Sequence, residues 1–160
     1  MSGAQVERID LSDQDVAYLV GKNGATRIRL ENFSGTRLNI DKDIAEIEGT
    51  QHQRDLAKLA IDITLQQRDG GAVAVRFDEL EAREDVSTFD VPRETVGFLL
   101  GAKGSTLRQM ETNHRVFMFF DNDRLRKGKH VRTHAPLQQV HVLAHHFEDV
   151  QRGVGPELCE

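Results

Sequence analysis

The sequence predicts an α+β protein of two tandem units, each a three-stranded antiparallel sheet with helices packed on one face. Two observations carry this expectation. The first is a self-match: VAYLVGKNGATRIRLENFSGTRLNI in the first half aligns with VGFLLGAKGSTLRQMETNHRVFMFF in the second, without a gap, from Val16 to Thr36 against Val96 to Val116. The leading glycines of the match, Gly21 and Gly101, lie 80 residues apart, so the repeat is domain-sized rather than a short solenoid unit. The second observation is the element order β-α-α-β-β-α, read independently in each half. Residues 1–70 form the first predicted domain, 71–84 a linker, and 85–160 the second.

In the first half, Val6 and Ile9 mark a short strand. Ser12 ahead of Asp15 has the form of a helix N-cap, opening a helix over about Gln14 to Val20 that runs into Gly21-Lys22-Asn23-Gly24. A second helix over about Ala25 to Phe33 stops at Ser34-Gly35. Leu38 and Ile40 alternate with Arg37, Asn39 and Asp41 as in a half-buried strand, and Ile44 and Ile47 mark the next one. The longest helix runs from about Gln51 to Gln67, with Leu56, Leu59, Ala60 and Ile63 on one face. The second half repeats the order: a strand over Val86 to Val91, a helix over Glu94 to Leu100 after Pro92, a helix over Ser105 to Asn113, and an apolar strand over Val116 to Phe120. A polar, basic insertion from Asn122 to about Pro136 precedes a strand over Val140 to Leu143. The final helix starts near His145 and has room for about two turns before Gly153 and Gly155-Pro156. Ala72 to Phe77, after Asp69-Gly70-Gly71, is an additional strand of unassigned place.

The 160 residues carry 21 Lys+Arg against 26 Asp+Glu, a formal net charge of −5, which excludes a uniformly basic nucleic-acid coat. The charge is uneven: Asp78 to Glu94 has seven acids and two bases, whereas Gly101 to His134 has eight bases and three acids. An acidic chain with that pattern can still present a basic face. No apolar run approaches the roughly 18 residues of a membrane span, and MSGAQVERIDLSDQD does not read as a secretory signal. The expected address is cytoplasmic, nuclear or both. A single cysteine, Cys159, leaves no internal disulfide and no cysteine-cluster zinc site. GKNGAT lacks the spacing of a Walker A loop and there is no G-x-G-x-x-G, while His141, His145 and His146 stand without nearby cysteines. The expectation is a non-enzyme without cofactor or metal.

Two glycines flanking two variable residues, between two short helices, permit a sharp turn with no Cβ in the way of a close-approaching group. The helix that follows aims its N-terminal N–H groups and positive dipole end into the turn, which suits a phosphate. Lys22 and Lys103 add a cation in each loop. That is chemistry for gripping a nucleic-acid backbone.

In these features the chain resembles the KH (K-homology) domain family in its type I arrangement, as a tandem pair. The resemblance is carried by Leu19-Val20-Gly21-Lys22-Asn23-Gly24 with Leu30, Phe33, Ser34-Gly35, Leu38 and Ile40, and by Val91-Pro92 with Val96 through Gly104 and Leu107. It spans about residues 5 to 68 and 85 to 152. Type I fits because the long helix follows the last strand of the first repeat, and too few residues precede the first short helix for two strands. The resemblance implies binding of single-stranded RNA, or of single-stranded DNA, about four nucleotides per domain with the backbone clamped by the G-x-x-G loop. It further implies that Val20, Leu100 and Leu107 line an aliphatic groove, that Gly97 admits close approach, and that Arg37 and Arg115, each opening the strand after the second helix, reach the strand from the opposite wall. Arg27 and Arg108 complete the implied contact set.

Three departures stand out. Arg27 occupies a position that is usually aliphatic in the family, so the first groove is expected to be more phosphate-directed. Ala102 replaces the usual basic residue of the second loop. The short final helix predicts a second domain that is less stable or is completed by another chain. The insertion Arg124 to Arg132 would lie beside the second groove and lengthen its phosphate contact. The implied role is RNA metabolism or post-transcriptional control. The alternative is a scaffold or ribonucleoprotein assembly module of weak RNA affinity that binds protein partners, and GKNGATRIRLENFSGTRLNI is loosely similar to KH-like ribosome-assembly factors.

Overall fold

In a computed structural model the chain divides into two compact units, Met1–Gly71 and Ala72–Glu160. The structure describes residues 5–68, 82–121 and 137–143. The predicted strand at Ala72 to Phe77, the basic insertion and the final helix near His145 lie outside the described residues. The expectation of a weakened second domain, which rests on that helix, lies outside them too.

The first unit runs β1 (Gln5–Asp10), α1 (Asp13–Val20), a single 3-10 turn (Lys22–Gly24), α2 (Ala25–Ser34), β2 (Arg37–Asp41), β3 (Ile44–Gly49) and α3 (Gln51–Arg68). The sheet order is β1-β3-β2, all antiparallel, with Val6 opposite Glu48 and Leu38 opposite Ile47. One sheet face is apolar and packs under the helices. Leu38, Ala45 and Ile47 from the sheet meet Leu19, Leu30, Phe33, Leu56, Ala60 and Ile63 from the helices, all at most 2% exposed. The other face carries Arg8, Asn39 and Glu46, joined across the three strands by bonds of 2.9 and 3.3 Å to the Glu46 carboxylate. This donor pair, Asn39 first and Arg8 second, holds the Glu46 carboxyl below the usual carboxylate range. The alternation of two side-chain sets along a strand thus separates core from solvent as the sequence pattern requires.

Local chemistry sets the element ends. Ser12 and Asp15 form a complete capping box at α1: Asp15 N donates to Ser12 Oγ at 3.2 Å, and Ser12 N donates to the Asp15 carboxylate at 3.0 Å. Gly35, at φ 70° and ψ 13°, stops α2 in the left-handed conformation. The guanidinium of Arg54 on α3, 4% exposed, donates to the carbonyls of Gln5 at 3.2 Å and Gly49 at 2.7 Å. It therefore ties α3 to β1 and β3 at one point.

The second unit has β4 (Val86–Pro92), α4 (Arg93–Leu100), a 3-10 turn (Ala102–Gly104), α5 (Ser105–His114), β5 (Phe117–Asp121) and β6 (Leu137–Leu143). Its order, β4-β6-β5, repeats the first sheet, with antiparallel pairing throughout. The inner cluster is Val116 and Val142 with Val91, Met118 and Phe120. One difference separates the two sheets. The row Val6, Glu48 and Arg37 is replaced register for register by Val86, Leu143 and Phe117. Phe117, Phe119 and Leu143 are at most 1% exposed, so the second sheet also buries the face that the first presents to solvent.

Candidate nucleic-acid interface

In each unit two short helices meet at a G-x-x-G turn beside an edge strand. α1 and α2 both contact β2, which has no strand on its outer side among the described residues. The turn has the same backbone in both units. Gly21 lies at φ 68°, ψ 178° and Gly101 at φ 69°, ψ −177°, while Gly24 and Gly104 are left-handed at φ 75° and 77°. The second variable residue is left-handed as well: Asn23 at φ 55° and Lys103 at φ 54°. Gly21 N donates to Ala17 O at 3.1 Å and Gly24 N to Gly21 O at 3.2 Å, matched by Gly101 to Gly97 at 3.0 Å and Gly104 to Gly101 at 3.2 Å.

The two glycines of each turn have different reasons to be glycine. A Cβ on Gly21 would collide with Thr26 Oγ1 and lie 3.0 Å from both Thr26 Cβ and Thr26 N. On Gly101 it would collide with Thr106 Oγ1 and lie 2.9 Å from Thr106 Cβ and N. A Cβ on Gly24 meets only the Arg27 guanidinium at 3.9 Å, and one on Gly104 meets nothing within 4 Å. The first glycine is therefore demanded by the protein's own packing, whereas the second opens onto free space at the start of the next helix.

That helix start is open. Neither α2 nor α5 has a side-chain cap, in contrast to α1 with its capping box. Of the first-turn N–H groups, that of Ala25 bonds Lys22 O and that of Ser105 bonds Ala102 O. The dipole end faces the loop with no carboxylate on it, a setting that favours an anion.

Two groups of cations can be told apart. Arg8, Arg54, Lys58, Arg68, Arg83 and Arg108 are each paired with a carboxylate. Lys22, Arg27, Arg37, Lys103 and Arg115 make no ion pair with any described residue. Lys22, Ala102 and Lys103 are exposed at the loop tips, and Arg27 is half-buried with its guanidinium over Gly24. Val20 and Leu100 are half-buried and Gly97 is exposed, with no atom within 4 Å of a Cβ built there. Among the described residues no group of three or more His, Cys, Asp or Glu side chains gathers to hold a metal ion.

Three expected site residues stand differently from the sequence expectation. Leu107 is 5% exposed and belongs to the core beneath the loop before it can serve a groove. Arg108 is engaged within its own helix, its guanidinium 2.9 Å from Glu111 Oε2. Arg115 does not open the strand as Arg37 does: it is the left-handed C-cap of α5 at φ 51°, two residues ahead of β5, in the place Gly35 fills in the first unit. The strand-opening position equivalent to Arg37 is Phe117, which is fully buried. The alignment of the two halves contains this already, since it sets Arg115 against Gly35.

Two positioning pairs escaped the sequence reading. Glu31 Oε1 accepts the edge-strand N–H of Leu38 at 2.8 Å, and Glu111 Oε1 accepts that of Met118 at 2.9 Å. Thr26 and Thr106 pack against the first loop glycines as described. Both are identical pairs in the self-match, and identity within the repeat at polar positions is the signal that marks them. They hold the helix, loop and edge strand in one fixed relation.

The KH domain family model matches the chain twice, over residues 6–63 and 86–142. The chain belongs to the KH domain family, and its two units are type I KH folds in tandem. The family is one of RNA-binding domains, not of enzymes. No curated protein matches the chain. Among solved structures it is similar to Dim2p from Pyrococcus horikoshii OT3, with 20% identity, TM-score 0.35, and coverage of 86% of this chain and 80% of that one. It is similar also to a chain of the a/eIF2alpha-aDim2p-rRNA complex from the same organism, at 18% identity and TM-score 0.35, covering 94% and 81%. A protein of unknown function from Aeropyrum pernix aligns at 12% identity and TM-score 0.37 over 95% and 79%.

Proposed function

We propose that the chain binds single-stranded RNA through both G-x-x-G loops and acts in RNA metabolism or post-transcriptional control, in the cytoplasm or nucleus. The observation that carries this reading is the duplicated turn. In both units an uncapped helix start, a glycine open to free space and an unpaired lysine converge at one point. A phosphate there accepts hydrogen bonds from backbone N–H groups and neutralises the loop cation. The strand then continues between the loop and the edge strand, where Val20 and Arg37 in the first unit and Leu100 in the second lie ready for bases and further phosphates.

The test is fluorescence anisotropy with a randomised single-stranded RNA pool at two salt concentrations. The intact chain is compared with the Lys22→Asp/Asn23→Asp and Ala102→Asp/Lys103→Asp variants. Each pair sets negative charge where the phosphate belongs, on exposed side chains that the fold does not use. Affinity is expected to fall with each pair and with rising salt. Equal binding by both variants, or none by the intact chain, would leave the fold as a protein-binding scaffold.

A further inference from the structure

The most exposed large apolar side chain among the described residues stands next to the second G-x-x-G loop. Val6, Tyr18, Ile28 and Phe89 are 39–55% exposed, but Phe98 on α4 is 84% exposed and adds nothing to the core. It lies three residues before Gly101, one helical turn away and so on the side of the helix that leads into the loop. The exposed residues around it on its helix and loop are Glu94, Thr95, Gly97, Ala102 and Lys103. A lone ring beside an unpaired ammonium and an open glycine is a poor protein interface, which needs a contiguous apolar patch. It matches the face of a base and the charge of a phosphate.

The first unit supplies an internal comparison. The equivalent residue is Tyr18, also aromatic in a chain with 6% aromatic residues. Its ring is covered by the guanidinium of Arg68 at 6.0 Å from the centroid, and Arg68 is itself held by Asp15. At this position of the fold a flat group therefore already lies over an aromatic ring. No cation–π or ring contact involves Phe98 among the described residues.

We infer that the Phe98 ring is a stacking platform for a nucleobase of the bound strand, adjoining the second G-x-x-G clamp. Stacking on an open aromatic face tolerates any base, so Phe98 adds affinity without sequence preference. The first unit lacks this platform because Arg68 occupies it. The assignment rests on the single-stranded RNA reading of the clamp and extends it by one nucleotide.

The chain contains no Trp, so Phe98→Trp introduces a single tryptophan at the site. Its emission is expected to be quenched by single-stranded RNA with affinity retained. Phe98→Ala and Phe98→Leu are expected to bind about 5- to 150-fold more weakly, the span that follows from stacking contributions of about 1–3 kcal/mol per base. Phe98→Tyr is expected to bind like the parent, and none of these variants should shift the thermal melt. Retained affinity in Phe98→Ala, together with loss in Ala102→Asp/Lys103→Asp, overturns the platform and leaves the clamp. Leucine as good as tyrosine also overturns stacking, because it shows an apolar contact without a role for the ring. Unchanged binding in both the loop pair and Phe98→Ala overturns both readings. Altered sedimentation of Phe98→Ala with unaltered RNA affinity assigns the ring to self-association instead.

Discussion

The division of labour between the two glycines of each turn makes a quantitative prediction. Gly21 sits at φ 68°, ψ 178°, a region essentially closed to any side chain and costing about 1–3 kcal/mol when one is forced into it. Alanine there also meets Thr26 Oγ1, Cβ and backbone N, the last two at 3.0 Å, and overpacking of that kind costs about 1–3 kcal/mol more. Gly21→Ala should therefore destabilise the first unit by about 2–6 kcal/mol. Gly24 is left-handed at φ 75°, ψ 12°, with the nearest atom 3.9 Å from its Cβ position, so Gly24→Ala should cost only about 1–2 kcal/mol. The two units need not unfold together, so a local probe is needed, and native-state hydrogen exchange of the α1 and α2 amides supplies one. RNA affinity should show the reverse order once corrected for unfolding: the methyl of Gly24→Ala projects into the space a phosphate would enter. Adding Thr26→Ala to Gly21→Ala should restore part of the loss, since Oγ1 disappears but the backbone N remains. Equal opening free energies for the two single variants would refute the reasoning, because the Thr26 contact would then not shape the loop.

In the second unit, Gly97→Ala should raise the melting temperature, since a helical alanine is favoured over glycine by about 0.5–1 kcal/mol and its Cβ meets nothing within 4 Å. The same change should weaken RNA binding, read by anisotropy, if the strand passes close to that backbone. Arg54→Met should destabilise the first unit by about 3 kcal/mol in a denaturant titration, because the Gln5 and Gly49 carbonyls lose a charged donor at a buried site. The Asp15 carboxyl is held down to about 2, first by the Ser12 hydroxyl and backbone N–H and then by Arg68. Its folded value lies below the unfolded one, so its contribution is complete above pH 3.8 and disappears as the pH falls towards 2. Asp15→Asn should abolish that acid-dependent loss of α1 helicity in circular dichroism. Finally, the turn of the first unit carries the unpaired Lys22 and Arg27, against Lys103 alone at that of the second. The variant with only the first clamp intact should show the steeper salt dependence, each phosphate contact contributing a slope of about −0.7.

Much of this architecture is legible without coordinates because the repeat tests itself. A strand read from Leu38 and Ile40 alone is weak, but its counterpart at Met118 and Phe120 lies at the same offset from the same glycine pair. Helix ends were readable where a single residue type decides them, as with Ser12 at α1 and Gly35 after α2. What pattern reading missed depends on partners distant in sequence. Glu31 and Glu111 are helical acids by any local rule, and only the fold brings them to the N–H groups of Leu38 and Met118. Arg108 is expected in the contact set, yet Glu111 one turn on pairs with its guanidinium.

The misplacement of Arg115 has a more general physical content. A type I unit needs a left-handed residue after its second helix, and Gly35 meets that need without strain. The second unit places Arg115 there at φ 51°, an unfavourable conformation for a side chain. With the arginine two residues early, the strand-opening site passes to Phe117, whose ring is buried against Phe119 at a centroid distance of 6.2 Å. The same exchange therefore removes a cation from the head of the edge strand and adds an apolar anchor to the outer sheet face. In the first unit that strand head remains polar, with Arg37 exposed on the outer sheet face. The backbone turn is thus held constant between the two units while its surroundings change: more cationic in the first, more apolar in the second. On the proposed reading the two loops would take the same chemical backbone but weight charge and contact differently, and that difference is what the salt slopes of the two loop variants would measure.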